Sequence, residues 1–157
     1  MAGGNVIPVL GNGDCGANCL ALYLMDRNRF SSREELLSYA REVRRDVTEF
    51  YTNRAGLYLQ QRREAGMAAV FPESVEAYQR FMREDGRHFT MVEFYAASCV
   101  YGIQLVFVDE RSNAISCIVG DDGLPQVFIQ YLEEDAHSQN GHAGHFNLIR
   151  DAIVVAE

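Results

Sequence analysis

The sequence predicts an α+β protein in which helices come first and a sheet is built from the strands that follow. Three observations carry this. Apolar residues recur at helical spacing through the earlier part of the chain, three of the runs opened by a Ser or Thr cap. The period changes after Gly102, where Ile103-Gln104-Leu105-Val106-Phe107-Val108 is short, β-branched and almost wholly apolar. Strands and helices do not alternate regularly, which argues against a sheet of βαβ units. At 157 residues the chain is expected to form a single domain, 1–157, large enough to bury a core.

In chain order, Val6 to Leu10 reads as a strand or extended lead-in, ended by the turn Gly11-Asn12-Gly13. The apolar run from Cys19 to Met25 predicts a helix from Cys15 to about Asp26, followed by a polar break at Arg27-Asn28-Arg29. Ser32 and Glu35 fit a capping box. Leu36, Ala40, Val43, Val47 and Phe50 or Tyr51 then give a helix over 33–52 whose charged face is solvated. Leu57 to Glu64 is a short helix or an irregular excursion. Ser74 caps a helix carrying Val75, Tyr78, Phe81 and Met82 that ends near Glu84-Asp85-Gly86. Thr90 and Glu93 form a second capping box, and Phe94, Ala97, Ser98 and Tyr101 share one face of the helix it opens. Gly102 is a natural residue for its end. Ile103–Val108 is a central strand, and Ala114–Val119 alternates as a half-buried one, with Cys117 inward. Val127–Leu132 is a third strand, Glu133–Gly144 a loop, His145–Ile149 a strand, and Ile153-Val154-Val155 a last one.

An apolar share of 48%, a charged share of 23% and a net charge of −8 fit an ordinary globular protein and disfavour binding to nucleic-acid phosphates. No run of about 18 apolar residues marks a membrane span, and the N-terminus lacks the basic and apolar regions of a signal peptide. The four cysteines, 15, 19, 99 and 117, form no dense framework and read as reduced thiols in an intracellular setting. Cys99 and Cys117 fall on core faces. His137, His142 and His145 sit in or beside a Gly-rich stretch without a Cys partner, which reads as a polar loop rather than a metal site. His88 reads as surface. Neither a cofactor nor a metal is expected.

Two stretches carry chemistry. In Gly11-Asn12-Gly13-Asp14-Cys15-Gly16-Ala17-Asn18-Cys19 a polar turn feeds an apolar helix and leaves Cys15 in its first turn. Unpaired backbone N–H groups and the positive end of the dipole there favour a thiolate, and the same groups suit an oxyanion. At the other end, His145-Phe146-Asn147 opens a strand, so that His145 and Asn147 point the same way and the amide is placed to orient the imidazole. Cys19 competes with Cys15, but it lies one turn inside an apolar helix, where thiols are usually inert packing.

Asn12-Gly13-Asp14-Cys15 and His145-Phe146-Asn147 together resemble the two motifs of the ovarian-tumour (OTU) family of cysteine proteases. The resemblance implies a papain-like, OTU-type fold with a mostly antiparallel central sheet flanked by helices. It further implies a Cys15–His145–Asn147 triad, an oxyanion loop of Asn12, Gly13 and Asp14, and ubiquitin or ubiquitin-like conjugates as substrates of a monomeric deubiquitinase in the cytoplasm, host cytoplasm if viral. Contacts to the modifier are expected in region 53–88. Two departures stand out: Asn12 replaces the family's aspartate, and Gly16-Ala17 replaces its Leu-aromatic pair. Cys-Gly-x-x-Cys resembles viral members, so a viral or divergent protein is expected. The alternatives are a viral papain-like protease that cuts its own polyprotein, and an inactive ubiquitin-binding module.

Overall fold

The computed structural model describes residues 5–7, 14–26, 31–132 and 145–150. Helices α1 (Cys15–Leu24), α2 (Arg33–Glu49), α3 (Ala55–Glu64), α4 (Val75–Met82) and α5 (Met91–Tyr101) precede most of the sheet. The strands are β1 (Asn5–Ile7), β2 (Gln104–Asp109), β3 (Ile115–Val119), β4 (Gln126–Leu132) and β5 (His145–Arg150), in spatial order β1-β5-β4-β2-β3. Only the β2–β4 pair is parallel; β1–β5, β4–β5 and β2–β3 are antiparallel. The α+β class and the mostly antiparallel sheet are as expected. Residues 8–13, 27–30, 133–144 and 151–157 lie outside the described residues, and with them Asn12, Gly13, His137, His142 and the last expected strand.

Local chemistry explains the helix boundaries. Ser32 Oγ accepts Glu35 N–H at 3.1 Å and opens α2, while the Glu35 carboxylate takes the Ser31 hydroxyl at 2.8 Å. Ser74 Oγ accepts Ala77 N–H at 3.1 Å and opens α4. At α5 the capping box closes from both sides: Thr90 Oγ1 accepts Val92 N–H (3.1 Å), and Glu93 Oε1 accepts Thr90 N–H (2.6 Å). Gly102, at φ +63°, ends α5 in the left-handed conformation that a side chain resists.

The helices cover one sheet face. Leu105 and Phe107 of β2, Val127 and Ile129 of β4, and Phe146 and Leu148 of β5 join the main core, while Val106, Val108, Phe128 and Ile149 form a smaller cluster of alternate residues on the opposite face. Phe94 of α5 is the hinge of the main core. Its ring meets Phe89, Phe107 and Phe146 edge-on, with centroids 5.7, 4.9 and 5.1 Å away. A second aromatic group, Tyr51, Tyr58, Phe71 and Tyr78, joins α2, α3 and α4 around the buried Glu93.

Four expectations are corrected. β3 is an exposed edge strand: Ile115 to Ile118 are open to solvent, so Cys117 does not face the core. Among the described residues it pairs with β2 alone. Cys99 likewise lies exposed, at the solvent side of α5. His88 is half-buried rather than on the surface. The charged face of α2 is not solvated throughout, because Arg44 is buried within it.

Candidate active site

Cys15 is the first residue of α1, and α1 packs on α2 and β5. β1 pairs with Leu148–Arg150 on one side of β5, while β4 pairs with the other side along His145–Ile149. Just before the β1-paired stretch, the backbone N–H of Phe146 reaches the Cys15 sulfur. The amides of Gly16 and of Cys15 itself also point at that sulfur, as expected for a thiol in a first helical turn.

These amides favour the thiolate, but burial outweighs them. Cys15 is only 1% exposed, and desolvation, helped by the neighbouring Asp14 charge, pushes its thiol above the ordinary range. Cys19, one turn further, is fully enclosed in the helix interior, and burial drives its thiol higher still. It has no such set of strand and helix amides around it.

His145 and Asn147 share a face of β5, and His145 Nε2 lies 2.8 Å from Asn147 Oδ1. The amide cannot turn freely: its Nδ2 donates to Gln130 Oε1 at 3.2 Å, from the residue directly opposite on β4. With Nδ2 committed, Oδ1 accepts from the ring, so Nε2 carries the proton in the neutral imidazole and Nδ1 is left basic. Gln130 is a partner of this pair that the sequence alone did not single out. Its polarity in an otherwise apolar strand, at alternate spacing from Phe128, was the available signal.

Phe146 is the intervening residue and faces the other way. Its ring is held by Phe94, Phe107 (5.9 Å) and Tyr131 (5.4 Å). Gly16 approaches the same aromatic stack from α1: an added Cβ would stand 2.8 Å from Phe89 Cβ and 3.1 Å from Phe94 Cζ. The Leu that the family places after its cysteine has no room here. One set of rings thus supports both ends of the site.

Asp14 does not cap α1 with its side chain. The carboxylate instead accepts from Arg44 and from the Gly86 amide, with Asp14 and Arg44 side chains 9% and 1% exposed. Removing one partner of such a buried pair typically costs about 3–5 kcal/mol. Asp14 was expected in an oxyanion loop; its side chain anchors that segment to α2. Among the described residues, no group of three His, Cys, Asp or Glu side chains is arranged to hold a metal. No described helix is long and apolar enough to cross a membrane.

The strand that carries the His145–Asn147 pair thus also supplies the amide that meets the Cys15 sulfur. The fold around it is that of OTU domains. The chain is similar to the viral OTU domain protease from Dera Ghazi Khan virus, with 15% identity and a TM-score of 0.66 over 94% of this chain and 80% of that one. It is also similar to the OTUD1 OTU domain (14% identity, TM-score 0.63, 93% and 85% covered) and to the Hazara virus OTU solved bound to ubiquitin (16%, 0.63, 93% and 80%). No family model matches the sequence, and no curated protein matches it.

Proposed function

We propose that this protein is a cysteine isopeptidase of the OTU type that removes ubiquitin or a ubiquitin-like modifier from conjugates. Cys15 attacks the scissile carbonyl as His145 Nδ1 takes the thiol proton. The imidazole returns that proton to the leaving Lys amine, and water then hydrolyses the thioester with His145 again as base. Asn147 holds the ring through Nε2, and backbone N–H groups of the Asn12-to-Cys15 segment receive the oxyanion.

The observation that carries this reading is the placement of Phe146. Its amide meets the Cys15 sulfur, its ring is fixed in the core, and His145 and Asn147 flank it with their side chains hydrogen-bonded at 2.8 Å. Similarity to an OTU solved bound to ubiquitin supports the choice of modifier. The four free thiols suit a reducing compartment, the cytoplasm, and the Cys-Gly-x-x-Cys motif supports a viral or divergent origin.

The test is a ubiquitin probe bearing a C-terminal electrophile. A covalent adduct that is lost in Cys15→Ala and kept in Cys19→Ala supports the assignment. Failure of every ubiquitin-like probe to label the protein refutes the isopeptidase reading.

A further inference from the structure

Arg44 lies on α2 between Val43 and Arg45, and it is among the largest fully buried side chains of the molecule. Its guanidinium is directed at the residue just before Cys15. Nη2 and Nε donate to Asp14 Oδ1 at 2.5 and 3.2 Å, Nη2 donates to Arg87 O at 2.7 Å, and Nη1 donates to Met82 O at 3.1 Å. The Gly86 amide donates to the same Asp14 oxygen at 2.9 Å. The guanidinium also lies 5.3 Å from the centre of the Phe89 ring, the ring that Gly16 approaches. Asp14 is therefore gripped from two directions, by α2 and by the connection between α4 and α5.

An aspartate at an N-cap ordinarily serves the N–H groups of its own helix. Here that service is given up, and a fully desolvated cation holds the carboxylate instead. We propose that Arg44 is a positioning residue for the Cys15 nucleophile: with the Gly86 amide it pins Asp14, and through Asp14 the first turn of α1, so that the Cys15 sulfur stays on the Phe146 amide. This rests on the reading of Cys15 as the nucleophile. Tight pinning matters because a displacement of about 1 Å at a reacting atom can cost about a hundredfold in rate.

Charge gives the pair a second effect. The Asp14 carboxylate stands beside the sulfur and opposes its ionisation, and the Arg44 guanidinium balances that charge. Among the described residues, Cys19 on α1 is a further titratable neighbour of that sulfur.

The experiment compares Arg44→Met, Arg44→Lys and Asp14→Asn in the full chain, with folding checked by circular dichroism. It reads kcat and KM on a ubiquitin–fluorophore substrate. It also reads iodoacetamide alkylation of the Cys15 thiol across pH, with Cys15→Ala supplying the background from the other thiols. Folded Arg44→Met should lose about ten- to a hundredfold in kcat with KM changed less than about threefold, and Arg44→Lys should recover part of it. Asp14→Asn keeps an acceptor oxygen for Arg44 and Gly86 but removes the charge, so its alkylation midpoint should move to lower pH. The proposal is overturned if folded Arg44→Met keeps kcat within about twofold of the parent. Should Arg44→Met not fold, Asp14→Ala, which removes the acceptor that both donors grip, decides the matter: a folded variant with kcat within about twofold of the parent overturns the proposal. If the parent fails to cleave ubiquitin while Arg44→Met still changes the alkylation of Cys15 relative to the parent, the modifier is wrongly chosen and the role of Arg44 stands.

Discussion

The Asn147 amide bridges two strands, accepting from His145 Nε2 at 2.8 Å on its own strand and donating to Gln130 at 3.2 Å on the next. This fixes the tautomer of the imidazole and the plane of the ring. Asn147→Ala should lower kcat by about a hundredfold or more with KM little changed, since a mis-set imidazole loses general-base function. Gln130→Ala, which frees the amide to turn, should cost less, on the order of tenfold. Steady-state kinetics on a ubiquitin–fluorophore substrate check both; equal losses at the two positions would contradict the relay.

Gly16 is fixed by space rather than by backbone conformation. Replacing it with Leu, as in the family motif, drives a side chain into Phe89 and Phe94. Gly16→Leu should destabilise the fold by about 1–3 kcal/mol or more, and Gly16→Ala by less, read as shifts in the urea midpoint. A Leu variant as stable as the parent would refute the packing argument.

Glu93 is completely buried, taking the Tyr78 hydroxyl at 2.6 Å together with Thr90 N–H, and desolvation pushes its carboxyl up to about 7. For an acid raised on folding, the native state holds a proton that the unfolded chain has released. Its contribution is full below the unfolded value and is lost as pH rises through the folded one. Urea stability should therefore fall between about pH 4.5 and 7, by an amount on the order of 3 kcal/mol at most. Glu93→Gln should flatten that slope. Parallel pH profiles for parent and variant would show that Glu93 is not the group responsible.

Cys117 tests the edge strand. It lies exposed on β3, so Cys117→Lys should change stability by no more than about 0.5 kcal/mol. A loss of several times that would mean the strand is covered. Thermal melting of the two proteins decides it.

Caps, helix periods and the buried strand were legible in the sequence because each depends on neighbours a few residues apart. Ser32, Ser74, Thr90 with Glu93, and Gly102 act where their residue types place them. The two halves of the site were legible for the same reason, since a helix start and an i, i+2 strand pair are local facts. Residues 53–71 proved more regular than their weak pattern implied, because Tyr58 and Phe71 find their partner Tyr78 only across helices.

The sequence by itself determined that a thiol begins an apolar helix and that an imidazole and an amide share a strand face. Tertiary structure alone decided what surrounds them. Arg44 reads as one more charge on an amphipathic helix until Asp14 arrives to pair with it, and Gln130 as an ordinary strand residue until β4 and β5 take their register. Ile115 and Cys117 alternate like half-buried residues, yet both stand open to solvent on an edge strand. Even the state of Cys15 turned on this. Helix position favours a thiolate, but the closing of α1, β5 and the Phe89–Phe94–Phe146 stack removes water, and desolvation outweighs the helix amides.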